Sequence, residues 1–307
     1  MKKASLASPL LVAFFLLVGV VEGKEISLTF ERLPSLKPYG FFIPREISNM
    51  ILRSLQGHGI IAAGFVQEEK IDDDLPSFVV LQDWVEQGHL LGNNTYSYVD
   101  LNEVSSDDFI EHVADGQKYI RKVTRATRAN YRYIRFPQLH QGNTNGKKKD
   151  VAKRLSRADY VIVPATVIPS DFNFNRVYVE TKQGSEEMDR LRAVYLDHLS
   201  KSLDYAEEQS ERVFGRQVKH ILRLHMGVAT ANFIDGIIDL LKERGYEFVS
   251  LEDALSDPAY ETEEEYVGPL GLSFLDRVAA TQGIPYDGDH ARIPIREIRS
   301  RMTASSQ

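Results

Sequence analysis

The chain has 307 residues, 43% of them hydrophobic and 26% charged, with a net charge of −7. That is long enough for one large core or two modest ones, and the acidic balance argues against a nucleic-acid partner. There is no cysteine, which excludes disulfides, thiolate metal sites and a lipidated cysteine near the N-terminus.

In chain order, Lys2 and Lys3 precede an apolar run from about Leu10 to Val21 that ends in small residues around Gly23. This is the pattern of a secretory signal peptide, and it is short for a membrane span of roughly 20 apolar residues. Residues 1–23 are expected to be removed, which deletes Lys2, Lys3 and Glu22 and takes the charge to −8. The mature protein is then expected to be secreted or periplasmic, with no stable membrane insertion after cleavage.

From Lys24 onward, short β-rich runs alternate with longer helical patterns. The runs are "EISLTF" (25–30), "GIIAAGFV" (59–66), "YIRFP" (133–137), "DYVIVPATVI" (159–168), "HILRLHM" (220–226) and "YEFVSL" (246–251). Helical periodicity falls in "PREISNMILRSLQGHG", "SSDDFIEHVADGQKYIRKV", "MDRLRAVYLDHLSKSLDYAEEQSERVFG" and "NFIDGIIDLLKERG". Such alternation predicts an α/β fold with a mostly parallel sheet, open or closed into a barrel. The basic clusters at Arg121 to Arg135 and Lys147 to Arg154 read as solvated helix faces. After about Tyr260 the chain reads as a peripheral appendage, which divides the sequence into residues 1–23, a domain over 24–258, and a C-terminal extension over 259–307.

Chemistry in parallel α/β folds sits at the carboxyl ends of the strands. Glu31 and Arg32 follow the first run, Arg135 closes another, Asp171 follows "YVIVPATVI" and His225 ends "HILRLHM". All are expected to face one rim. Between them, "GNNTYSYVDL" (92–101) has the look of a metal-binding turn with Asn94 and Tyr98 where two histidines would be wanted.

Five segments in order carry a resemblance. "LTFERLP" resembles Thr-Phe-Asp-Asp-Gly-Pro, and "GHLLGNNTYSYVDL" resembles Gly-His-Glu-Ile-Gly-Asn-His-Thr-Tyr-Ser-His. "YIRFPQLHQG" resembles an Arg-Phe-Pro segment, "VPATVIPSDFNFN" falls near an Asp-Trp position, and "ILRLHMGVATANFIDGIIDLLKERGYEFVSLEDAL" resembles a closing strand, histidine and helix. Together, from about Ile26 to Asp253, the chain resembles the polysaccharide deacetylases of carbohydrate esterase family four, with the NodB homology domain. The resemblance implies a distorted (β/α) barrel, N-acetylated glycans such as peptidoglycan or chitin-like oligomers as ligands, and hydrolysis of the acetamide. It also implies zinc or another divalent metal held by an aspartate and two histidines, a second aspartate as base and a late histidine as acid.

Carried over by position, the base becomes Glu31, and the metal ligands become Arg32, Asn94 and Tyr98. None of the three is a good ligand, and Arg32 places a permanent cation where a dication would sit. No metal cofactor is therefore expected. Arg135, Asp171 and His225 match the position that contacts the base, the acid of the fourth segment and the histidine that supplies the proton. Tyr96, Phe136 and Phe172 are candidate sugar platforms, while His89 and His140 are further polar residues near the rim.

Two functions fit these residues. One is a glycan-binding pseudoenzyme that has lost metal-dependent deacetylation. The other is a hydrolase working without the metal, with Glu31 as base, His225 as acid and Arg32 as a clamp on the carbonyl oxygen. A guanidinium stabilises charge but does not lower the pKa of bound water to about 7 as zinc does. Losing about 5 kcal/mol of barrier lowering would slow the reaction more than roughly a thousandfold, so the binder is the expected function.

Overall fold

The structure, a computed structural model, describes residues 23–37, 40–73, 75–127, 131–290 and 292–304. The expected signal peptide, apart from Gly23, lies outside the described residues. Among them no helix is long and apolar enough to cross a membrane.

Seven strands are described: β1 (Lys24–Leu33), β2 (Ala63–Val66), β3 (Leu90–Asn93), β4 (Tyr133–Ile134), β5 (Val161–Ile162), β6 (His220–His225) and β7 (Tyr246–Phe248). Every pairing is parallel. The sheet runs β5-β4-β3-β2-β1-β6, and β7 pairs the start of β1. The chain just past β5 then reaches the other edge, where Thr166 N–H donates to Ile221 O and Arg223 N–H to Val167 O, each at 3.0 Å. Those bonds draw the curled sheet into the barrel-like form that the alternating pattern predicts.

The helices are α1 (Pro44–His58), α2 (Glu69–Asp73), α3 (Phe78–Glu86), α4 (Ser106–Asp115), α5 (Lys118–Thr127), α6 (Asn145–Arg157), α7 (Asp171–Glu180), α8 (Glu186–Phe214), α9 (Val228–Glu243), α10 (Leu251–Leu255), α11 (Phe274–Gln282) and α12 (Ile295–Ala304). Alternation along β1 sorts its side chains by face. Ile26, Leu28 and Phe30 point outward into the main core with Ile47 and Ile51 of α1 and Ile237 and Ile238 of α9. Each such fully buried aliphatic side chain contributes about 1.5–3 kcal/mol. On the inner face, Ala63, Phe65, Tyr133, Val163 and Ile221 pack with Leu251 and Ala254 of α10, which stops the barrel at the amino ends of its strands.

Three local features depart from the sequence pattern. β3 is not among the strand-like runs, and its last two residues open the stretch read as a turn: Leu90 and Leu91 are followed by Gly92, whose missing side chain makes room for Phe65, 2.6 Å from where a Cβ would stand. The periodicity over 105–123 divides into α4 and α5 at Gly116, because a Cβ there would lie 2.7 Å from the Tyr96 backbone nitrogen. The C-terminal extension, expected at the periphery, packs α11 on α8 and α12 on α7 and α8. Phe274 N–H donates to Ala165 O at 2.8 Å, which ties the extension to the carboxyl end of the barrel.

Candidate ligand-binding site

At the carboxyl ends of β1, β4 and β6, four side chains from three segments converge on Glu31. This carboxylate is fully buried and Arg223 grips both its oxygens, Nε to Oε1 at 2.7 Å and Nη2 to Oε2 at 2.9 Å. Tyr98 donates its hydroxyl to Oε2 at 3.2 Å and accepts from Arg223 Nη2 and from Gln138 N–H, both at 3.3 Å. Arg135 Nε stands 3.9 Å from Glu31 Oε1. Burial alone would raise the Glu31 carboxyl, but the Arg223 charge and hydrogen bonds, with His225 and Arg135 behind them, outweigh it and leave it below its ordinary value.

Arg135 is itself wholly buried, and its cation is held by three acceptors from two segments. It donates to Thr29 Oγ1 at 2.6 Å, Pro164 O at 2.8 Å and Val163 O at 3.3 Å, and lies over the Phe65 ring at 4.5 Å. It therefore fastens β1 and β4 to the chain past β5. On the far side of Glu31, His225 Nε2 lies 3.8 Å from Oε2 and 3.4 Å from Arg223 Nη2. Its Nδ1 faces Asp171 Oδ1 at 2.6 Å, while Asp171 Oδ2 accepts from the His225 backbone N–H at 2.6 Å and from Thr230 Oγ1 at 3.0 Å. Burial pulls the Asp171 carboxyl up and the His225 charge and hydrogen bonds pull it further down, so its net shift is downward.

Glu31, Arg135, Asp171 and His225 thus come together in one linked set. Only His225 of the four lines the open cleft, a cavity of about 430 Å³; the others form the floor beneath it. The sequence reading missed Arg223, although its signal was present: in "HILRLHM" it precedes His225 by two residues, on the same face of the strand.

The positions expected to have held a metal are each committed elsewhere. β1 pairs Glu31 with Phe65 and Leu33 with Val66, which leaves Arg32 as the extra residue of a bulge. Arg32 has φ 66°, in the left-handed region that non-glycine residues seldom enter. Its guanidinium lies 4.1 Å over the Tyr98 ring and its Nε donates to Gln67 Oε1 at 3.3 Å. Asn94 is a backbone bracket, accepting from Arg32 N–H at 3.3 Å and donating to Arg135 O at 3.0 Å. Burial, with the nearby Glu31 charge, pushes the Tyr98 hydroxyl up to about 12, so it stays protonated at neutral pH. A cation, an occupied amide and a neutral phenol do not make the donor set a transition metal takes. Among the described residues no three His, Cys, Asp or Glu side chains converge as a metal site.

The remaining candidates separate. Phe172 is 41% exposed, lines the cleft and meets the His225 ring edge-on at 5.8 Å. Phe136, proposed as a sugar platform, is buried and stacked on Phe109 at 5.2 Å in a separate core, with no face toward the cleft. Tyr96 also stands outside the cleft lining, and its hydroxyl donates to Asp72 at 3.2 Å. His140 is on the cleft wall, 2.7 Å from Asp100 Oδ2. His89 directly precedes β3, at the amino end of the sheet, where its Nδ1 accepts from Ala62 N–H at 3.1 Å; it is remote from the rim. The extension supplies the opposite wall through Gly271, Leu272, Ser273, Asp276, Gly288, His290 and Arg292. Gly271 is required there, since a Cβ would fall 1.7 Å from Gln138 O.

Residues 19–160 match the family model described as polysaccharide deacetylase. No curated protein matches the chain. Among solved structures, a mutant of BA3943, a CE4 family pseudoenzyme with restored enzymatic activity, is 17% identical over 76% of this chain and 68% of that one, with a TM-score of 0.53; the wild-type BA3943 is from Bacillus anthracis. PdaA from Bacillus subtilis, a family 4 carbohydrate esterase, is 21% identical over 78% of this chain and 82% of its own, with a TM-score of 0.52. At such identities the likeness establishes the shared barrel fold.

Proposed function

From the match of residues 19–160 to the polysaccharide deacetylase family model and the shared barrel fold, we propose that the chain is a secreted glycan-binding homologue of that family in which metal-dependent deacetylation has been lost. One observation carries the proposal: the carboxylate at the position of the family's base, Glu31, has both oxygens held by Arg223. A general base must offer a free lone pair to a water poised within about 2.6–3.2 Å. Glu31 accepts from Arg223 on one oxygen and from Arg223 and Tyr98 on the other, exposes no surface to such a water, and has its basicity held below the ordinary value by its buried ion pairs. The alternative of a metal-free hydrolase, with Glu31 as base, loses its first step for the same reason.

What is retained is a cleft of about 430 Å³ with one exposed aromatic, Phe172, and polar walls. That size lies within the range of small-ligand sites, and a flat apolar ring beside hydrogen-bonding groups suits a sugar face. The ligand class we propose is an N-acetylated glycan, bound without turnover and without a metal cofactor. The test is to titrate the purified mature protein with chitin oligomers and, in parallel, to measure metal content and acetate release. Saturable binding with neither a stoichiometric metal nor acetate is expected. Acetate release above the background of a Glu31→Gln variant would overturn the proposal.

A further inference from the structure

His225 apart, the floor of the cleft is balanced in charge before its rim is counted. Glu31 and Asp171 are the two buried carboxylates, and Arg135 and Arg223 the two buried guanidinium groups in their company. Arg32 is then in surplus. Its Nε bond goes to an amide oxygen, and among the described residues its terminal nitrogens make no hydrogen bond or ion pair. The bulge and the left-handed backbone at Arg32 hold this side chain at the cleft, with Tyr98 beneath its plane.

The opposite wall does not supply the missing anion. Asp276 is the one acid in the lining, is fully buried, and has both oxygens engaged, accepting from Tyr205 at 2.8 Å and Ser273 at 2.7 Å. His290 lies 3.8 Å from it, and Arg292 at the lip pairs with Asp289 at 3.1 Å. A guanidinium presented over an aromatic ring, with free donors and no carboxylate of its own, is arranged to take a planar anion in a bidentate bond.

We propose that the cleft selects a glycan carrying a carboxylate, which Arg32 binds at the place corresponding to the family's metal. This deepens the glycan-binding proposal and rests on it. The ligand class is an acidic, N-acetylated oligosaccharide, and the neutral chitin type becomes the weaker binder.

The experiment compares two hexamers by calorimetry: one of N-acetylglucosamine alone, and one alternating N-acetylglucosamine with glucuronate. Wild type, Arg32→Gln and Arg32→Lys are measured at low and moderate salt. The acidic hexamer is expected to bind at least about tenfold more tightly to wild type, with the difference shrinking as salt rises. Arg32→Gln should abolish the preference, weakening the acidic hexamer by about tenfold or more relative to the neutral one. Arg32→Lys should keep part of the preference, because the charge remains while the bidentate fork is lost. Equal affinity of wild type for the two hexamers, or a preference that survives Arg32→Gln, overturns this inference and leaves the glycan-binding proposal standing. Failure of both hexamers to bind a folded protein overturns the two together.

Discussion

Arg223 and Glu31 meet through two N–H···O bonds, with Glu31 fully buried and Arg223 nearly so at the base of the cleft. A buried pair of this kind adds modest net stability, because both ions were desolvated to form it, yet removing one partner is costly. Arg223→Ala leaves Glu31 with Arg135 at 3.9 Å as its nearest guanidinium and is expected to lower stability by about 3–5 kcal/mol. The double change Glu31→Leu with Arg223→Leu should recover most of that loss, since no lone charge remains. Urea denaturation of the two variants checks both statements, and a double variant no better than the single would mean the two residues act separately. This contact also marks the limit of what the sequence discloses. Glu31, Arg135, Asp171 and His225 stand out because each ends or follows a strand-like run, where parallel folds place their chemistry. Arg223 lies inside such a run, and nothing local indicates that it will meet a carboxylate 192 residues away.

Elements formed by long periodic segments were legible: α1, α8 and α9 follow their apolar stripes closely. β3 is not among the strand-like runs, and β4 and β5 are shorter than the runs that contain them, because strands of two to four residues are defined by neighbours rather than by their own pattern. The junctions between elements hold the titrating groups. Burial pulls His220, on β6, and His89, before β3, down to about 4. Burial raises Glu68, which accepts from Tyr119 and Ile120 N–H at the start of α5, to about 7. The histidines bind protons less tightly when folded, so each removes stability as pH falls from 6.5 toward 4, by about 3 kcal/mol at most. Glu68 binds its proton more tightly when folded and so adds stability as pH falls from about 7 toward 4.5, opposing them. The expected outcome is a modest decline of wild-type stability between pH 6.5 and 4.5, steeper in Glu68→Gln and flatter in His220→Gln. Denaturant midpoints across that interval decide it, and identical slopes in all three proteins would contradict the assignment.

The whole molecule places a barrel floor made of ion pairs under a cleft whose far wall comes from the C-terminal extension. Sequence pattern conveyed the barrel, since alternation of elements determines it, and left out the wall, since Gly271 to Arg292 reach the cleft through long-range contacts such as the packing of α11 on α8 and the Phe274–Ala165 bond. Restoring a catalytic centre therefore asks more than replacing ligands. The changes Glu31→Asp, Arg32→Asp, Asn94→His and Tyr98→His recreate a carboxylate and two-histidine set but keep Arg223 beside the base. We expect that variant to load zinc and release acetate from chitin oligomers slowly, and the further change Arg223→Leu to raise its rate by about tenfold or more, the scale on which groups around a metal site matter. Zinc content and acetate release measured on both variants test this; equal rates would clear Arg223 of obstructing the base. Arg223 also closes the sheet, its backbone N–H on Val167 O while its side chain grips Glu31. The hoop and the floor share one clasp. A fluctuation that parts β6 from the chain past β5 must loosen the carboxylate in the same event, so the barrel's opening and the exposure of its inner charges run on a single clock.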